Sequence, residues 1–165
     1  MLGINLMFAG FALILNGISC IKPLNNKMVA IINGLVGLII FFNSVIGVFN
    51  ANGIVDYANA AGGFLFAINY LIIFAERMFN SDFIVFGWFE MYAFIISIAF
   101  GIYALVGEFY FIAVLWFMWF VLWLVGFLAT IAKWHFAQKI SPLVLVFSGI
   151  ISTGVPGLLI LFQLF

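Results

Sequence analysis

The chain has 165 residues, 68% of them hydrophobic and only 6% charged, with five Lys or Arg balancing five Asp or Glu. Soluble domains average roughly a quarter charged residues, so no soluble fold of this size accommodates such a sequence, and the chain is placed in a membrane. Zero net charge without a basic tract excludes a nucleic-acid partner, and the single cysteine, Cys20, excludes an internal disulfide framework or a zinc cluster.

The opening "MLGINLMFAGFALILNGISC" has no basic residue before its apolar run and no small-residue cleavage site before Lys22. It therefore reads as a first transmembrane helix and not a cleaved leader. About 20 apolar residues cross the hydrocarbon core. Six stretches qualify: Leu2–Ile21, Met28–Phe49, Ala60–Ala75, Phe83–Val106, Phe109–Ala132 and Ile140–Leu164. The runs are continuously apolar, without the alternation of barrel strands, so the expected class is an all-α membrane protein. The second connection is expected over Asn50–Asn59. All five basic residues, Lys22, Lys27, Arg77, Lys133 and Lys139, fall in the first, third and fifth connections. The positive-inside rule makes that side cytoplasmic and puts both termini outside. The helices then form three successive hairpins, each with its basic turn inside.

On the first helix Gly3, Gly10 and Gly17 recur every seven residues, a seam for close approach by another helix. Leu2, Asn5, Ala9, Leu13 and Asn16 share another stripe, at ~100° per residue. Buried amides need hydrogen-bond partners or water, so this face is either interhelical glue or a polar path. Asn33 and Asn43 add amides on the second helix, and Asn69 lies beside Tyr70 on the third.

Glu90 is read as the acid well inside a span, ~10 Å along its helix from Phe83 at 1.5 Å per residue. An intramembrane ionisable group faces protein or a cavity, so Glu90 is either functional or a brace between helices. Ser97 and Gly101 follow on its face. On the fifth helix Trp116, Trp119 and Trp123 share one face with Ile112, Phe120 and Phe127. Aromatic stripes are more often packing than device, but each mid-membrane indole N–H needs a partner, and a narrow, partly wet passage supplies one. Pro156 interrupts the last span and is expected to kink it, while Gly154 and Gly157 permit close packing.

The single histidine, His135, is expected in a cytoplasmic connection between Lys133 and Lys139, without neighbours at metal-ligand spacing. No phosphate-binding, dinucleotide or zinc-helix motif is present. An enzyme is therefore not expected, and neither is a metal or cofactor. An ion channel would require carbonyl filters or charged rings. A path of Trp, Phe, Tyr, Leu and Asn suits a small neutral polar solute.

The residues "MLGxxLxxxGxxLxxNGI" from Met1 to Ile18, "FLFAINYL" from Phe64 to Leu71, "GWF" from Gly87 to Phe89, Trp116, Trp119, Leu122 and Trp123, and Pro156 together resemble the AmiS/UreI family of urea and short-chain amide channels. The resemblance covers nearly the whole chain. It implies a twisted six-helix bundle with an internal pore, a ring of six protomers, passive conduction of urea or small amides into the cytoplasm of a bacterium, and an association with a cytoplasmic urease or amidase. It carries pore positions onto Leu2, Leu6, Leu13, Asn16, Phe66, Tyr70, Trp116, Trp119, Leu122 and Trp123; Asn5 and Glu90, from their own places in the spans, and Ser148, where the family has a glutamate, are further polar candidates.

Two departures stand out. Acid-gated members have a longer outer loop bearing histidine, the usual group titrating at mildly acid pH; here no outer connection has one, so no such gate is expected. A family glutamate on the last helix corresponds to Ser148, and Glu90 either replaces it in space or is unrelated. The rival readings are a proton-coupled transporter using Glu90 and a non-conducting accessory subunit.

Overall fold

In the computed structural model, which describes residues 1–164, six helices are long and apolar enough to span a membrane. They are α1 (Leu2–Ile21), α2 (Asn26–Phe49), α3 (Ile54–Met78), α4 (Ile84–Val106), α5 (Tyr110–Thr130) and α6 (His135–Leu161). The chain is a multi-pass membrane protein. Its outward faces are apolar, as at Phe42, Ile95 and Val121, while buried positions include Asn16, Asn33, Asn69, Ser97 and Thr153. This polar interior and apolar exterior is what lipid contact allows.

Two boundaries differ from the sequence expectation. α3 begins at Ile54, not Ala60, so the second connection shrinks from Asn50–Asn59 to residues 50–53. Its polar "DYAN" is helical because Asp56 sits in the first turn, where the helix dipole favours an acid. The Asp56 carboxylate also accepts the Asn52 N–H at 2.9 Å, closing the turn. α6 begins at His135, not Ile140, so His135 lies at a helix start. The Gln138 amide donates to the Ala129 carbonyl at 3.2 Å and ties this turn to the end of α5.

The helix pairing is shifted by one from chain-order hairpins. α2 packs most extensively on α3, α4 on α5, and α1 on α6. The short non-basic turns join the tight pairs, and α1 closes the ring against α6. Consecutive helices joined by basic turns, such as α3 and α4, touch less and spread around the interior.

The α1 glycine seam sits on the backbone of α6. A Cβ at Gly10 would lie 2.6 Å from the Gly149 carbonyl oxygen, and one at Gly3 2.8 Å from that of Gly157. Gly17 meets the Pro142 carbonyl in the same way, at 2.7 Å. No side chain fits at these crossings, which is the close approach that small residues permit within a bilayer.

Pro156 acts through the turn before it. Residues Gly149–Gly154 form a π-helical segment inside α6. Proline has no N–H for the carbonyl four residues back and crowds it. The widened turn relieves that conflict, and hydroxyls bond back to carbonyls at the start of the segment. Ser152 donates to the Ser148 carbonyl at 2.8 Å, and Thr153 to that of Gly149 at 2.9 Å.

Candidate functional site

Two cavities enter the bundle from opposite ends. One, about 360 Å³, opens at the end carrying the basic turns, and its wall includes Ser19, Cys20 and Arg77. The other, about 290 Å³, opens at the end carrying the termini, beside Met1, Asn50 and Asp56. Of the candidate residues, Leu2, Asn5, Leu6, Phe66, Trp116 and Trp119 line the terminal-end cavity. Leu13, Asn16, Glu90, Leu122 and Trp123 line the basic-end cavity. Tyr70 and Ser148 line neither.

A thin apolar partition separates the cavities. Trp119 and Trp123 belong to opposite sides yet are one helical turn apart, about 6 Å. Leu6 and Leu13 on α1 divide in the same way, as do Phe66 and Asn69 on α3. The Phe66 ring is the hub. Its centroid lies 4.7 Å from Trp119, edge to face, and 5.1 Å from Trp123. Trp116 meets Trp119 at 4.9 Å and stacks on Phe100 at 4.4 Å with 14° between the planes. Such edge and stacked contacts fix ring orientation beyond what area burial provides.

Glycines make room for these rings. A Cβ at Gly62 would come within 2.9 Å of the Trp116 ring, and one at Gly63 would collide with the Ser44 hydroxyl. These α3 glycines were not distinguished in the sequence, because nothing local separates a packing glycine from a flexible one.

The polar groups divide into spent and unspent. The Trp123 indole N–H donates to Asn69 Oδ1 at 3.1 Å, so that mid-membrane tryptophan is satisfied by protein. The Trp119 N–H is buried without a partner among the described residues. Asn16 and Asn33 exchange two hydrogen bonds, and Asn33 also donates to the Val29 carbonyl. Asn5 accepts from the Asn43 amide at 2.7 Å. Tyr70 is fully buried and its hydroxyl donates to the Ala9 carbonyl at 2.9 Å, so it braces α3 against α1 behind the cavity wall. Ser148 is buried at the start of the π-helical segment.

Glu90 is 6% exposed on the wall of the basic-end cavity, and its Oε2 has no hydrogen-bond partner among the described residues. Glu76, read from sequence as part of a connection, is also buried in α3, where Oε1 accepts the Phe86 N–H at 3.2 Å and locks α3 to α4. Arg77 borders the same cavity, a role not evident in the sequence. Its guanidinium donates to Asn26 Oδ1 and to Ser19 Oγ, each at 2.8 Å, and lies 5.7 Å from the Phe83 ring centroid.

The arrangement offers a small uncharged molecule two cavities and one aromatic slot. The AmiS/UreI family transporter profile matches residues 1–164. The chain is 27% identical to the acid-activated urea channel of Helicobacter pylori strain ATCC 700392 / 26695, with 99% of this chain and 98% of that protein covered. The counterpart from strain J99 is 25% identical with the same coverage. The cryo-EM structure of the Helicobacter pylori urea channel in a closed state superposes with a TM-score of 0.88, at 25% identity over all of both chains. The crystal structure of the urea channel from that organism gives 0.88 at 24% identity, covering 100% of this chain and 99% of that one. Matched over nearly its whole length, this chain belongs to the AmiS/UreI family of transporters.

Proposed function

We propose that this protein is a passive channel for urea or short-chain aliphatic amides. The supporting observation is the pair of cavities reaching from opposite ends to the Phe66–Trp119–Trp123 partition. The urea-channel identity of the relatives points the same way. A flat neutral solute slides between indole and phenyl faces and exchanges water for the N–H and carbonyl groups at their margins. A hydrated ion gains nothing comparable from a slot without charge, so its dehydration is not offset.

The basic turns face the cytoplasm of a bacterial inner membrane, with both termini outside. Protomers assemble as a homo-hexamer, and the solute feeds a cytoplasmic urease or amidase. Conduction has no histidine-based acid gate, because the single histidine, His135, lies at the basic end. The relatives are named acid-activated urea channels, and an ungated chain would part from them there.

The test is stopped-flow light scattering on vesicles holding the purified protein, with urea, acetamide and glycerol as solutes. Urea or acetamide entering far faster than into empty vesicles, with glycerol slow, is the expected result. Rates equal to empty vesicles would favour a non-conducting subunit. Uptake that collapses with an uncoupler, and in Glu90→Gln, would assign Glu90 to proton carriage, the reading its unpartnered carboxyl oxygen otherwise invites.

A further inference from the structure

We infer that Glu90 and Asn69 form a carboxamide-reading site in the basic-end cavity, with the Glu90 carboxyl accepting a permeant N–H and the Asn69 amide donating to its carbonyl oxygen. This rests on the proposed conduction of urea and small amides, and names the residues that set its selectivity.

Two buried acids stand near this end of the bundle, each with one carboxyl oxygen unpartnered among the described residues, and of the two only Glu90 lines the cavity. Glu76 holds the Phe86 N–H at the α3–α4 connection. Glu90 and Arg77 line the same cavity without an ion pair between them among the described residues; the two terminal nitrogens of Arg77 donate to Asn26 and Ser19, and its Nε is buried without a partner. The Thr130 hydroxyl is the neighbouring hydrogen-bonding side chain, and Oε2 remains unpartnered. On α5 the residue facing the carboxyl is Gly126, where a Cβ would collide with it. The missing side chain gives the carboxyl its place against α5, with Oε2 sealed from the cavity until the group turns. The terminal torsion of Glu is broad, so an oxygen turns toward a guest at little cost, and a guest N–H supplies the bond that the protein does not.

Asn69 supplies the complementary group. The Trp123 indole is only a donor, so the Asn69 end facing it at 3.1 Å is the carbonyl oxygen. That fixes the amide: its NH₂ is the other end, with no hydrogen bond to the described residues and not among the sealed atoms. Asn16, the other amide on this wall, already has its oxygen and its nitrogen each bonded to Asn33. An acceptor and a donor therefore remain for a molecule that carries N–H at one end and C=O at the other. Leaving the buried Glu90 acceptor unmatched is penalised, so the site favours solutes that bring N–H groups.

The test uses the full-length protein in vesicles and three isomers of identical formula: propionamide, N-methylacetamide and N,N-dimethylformamide. They present two, one and no N–H at nearly constant size. After subtraction of the empty-vesicle rate, wild type is expected to rank them in that order. Glu90→Leu is expected to erase the ranking and slow urea by about tenfold, the effect of losing one hydrogen bond to a charged or strongly polar group. Glu90→Gln keeps an acceptor and falls between. Asn69→Asp keeps the oxygen that holds Trp123, removes the NH₂ donor, and is expected to slow urea. A wild type that conducts urea but passes all three isomers alike overturns the inference, as does Glu90→Leu with unchanged rate and ranking. If Glu90→Leu does not fold, the wild-type isomer series decides alone. A wild type that conducts no solute overturns the channel reading itself, a distinct result.

Discussion

Asn16 on α1 and Asn33 on α2 exchange two hydrogen bonds, Nδ2 of each donating to Oδ1 of the other at 2.8 and 2.9 Å. The Asn33 amide also donates to the Val29 carbonyl at 2.8 Å. Buried in a bilayer, this reciprocal pair satisfies both side chains and pins two helices that otherwise touch little. Replacing either residue with Leu strands the other amide and is expected to destabilise the bundle by about 1–2 kcal/mol. The double replacement strands neither and is expected to cost less than the sum. Thermal unfolding in detergent of the two single variants and the double variant reads this coupling.

The Trp119 N–H has no partner among the described residues, whereas that of Trp123 does. Trp119→Phe keeps an aromatic wall and removes a donor, so urea permeability is expected to fall by up to about tenfold, one neutral hydrogen bond's worth. Thermal stability should hold or rise, since an unmet buried donor is lost. Trp119→Ala opens the partition instead, and larger amides should gain on urea. Both follow from stopped-flow swelling across an amide series.

Gly10 crosses α6 with no space for a methyl group, its nearest neighbours being the Gly149 carbonyl and the Gly154 N–H. Gly10→Ala is expected to push α1 off the π-helical segment and cost about 1–3 kcal/mol, as overpacking does. Gly47→Ala is the control, because a Cβ there meets only Ala60 at an ordinary 3.6 Å. Comparing the midpoints of thermal unfolding for the two variants checks the contrast.

Histidine changes charge between about pH 5 and 8. The only one here starts α6 at the basic end. With vesicles oriented so that the terminal end faces the buffer, urea flux is expected to stay flat as external pH falls through that range. A steep acid activation of stopped-flow rates would contradict the ungated reading.

The membrane class and the number of spans were legible because apolar runs are long and charges lie between them. The Trp116–Trp119–Trp123 stripe and the Leu13–Asn16 stripe were legible from helical period alone, and both meet the cavities. The start of α3 was not, since Asp56 stabilises a helix N-terminus while lowering hydropathy. The shifted pairing was not, because positive charge reports side, not neighbour. Tyr70 and Asn69 are adjacent on one helix, yet one is spent on the Ala9 carbonyl and the other faces a cavity. One residue of rotation, ~100°, separates those environments, and no single-sequence pattern resolves it. Arg77 looked like a loop charge because its partners Ser19 and Asn26 lie more than fifty residues away in the chain.

The most direct measurement places a plug in the partition. Leu6 is 2% exposed at the terminal-end side of the slot, and Leu6→Trp would fill it. Urea permeability of vesicles carrying wild type should exceed that of empty vesicles by well over tenfold, the scale of 1.4 kcal/mol off the barrier, and Leu6→Trp should return it near the empty-vesicle rate. Wild-type vesicles no faster than empty ones, or a folded Leu6→Trp protein as fast as wild type, would contradict a solute path through the interior of one subunit.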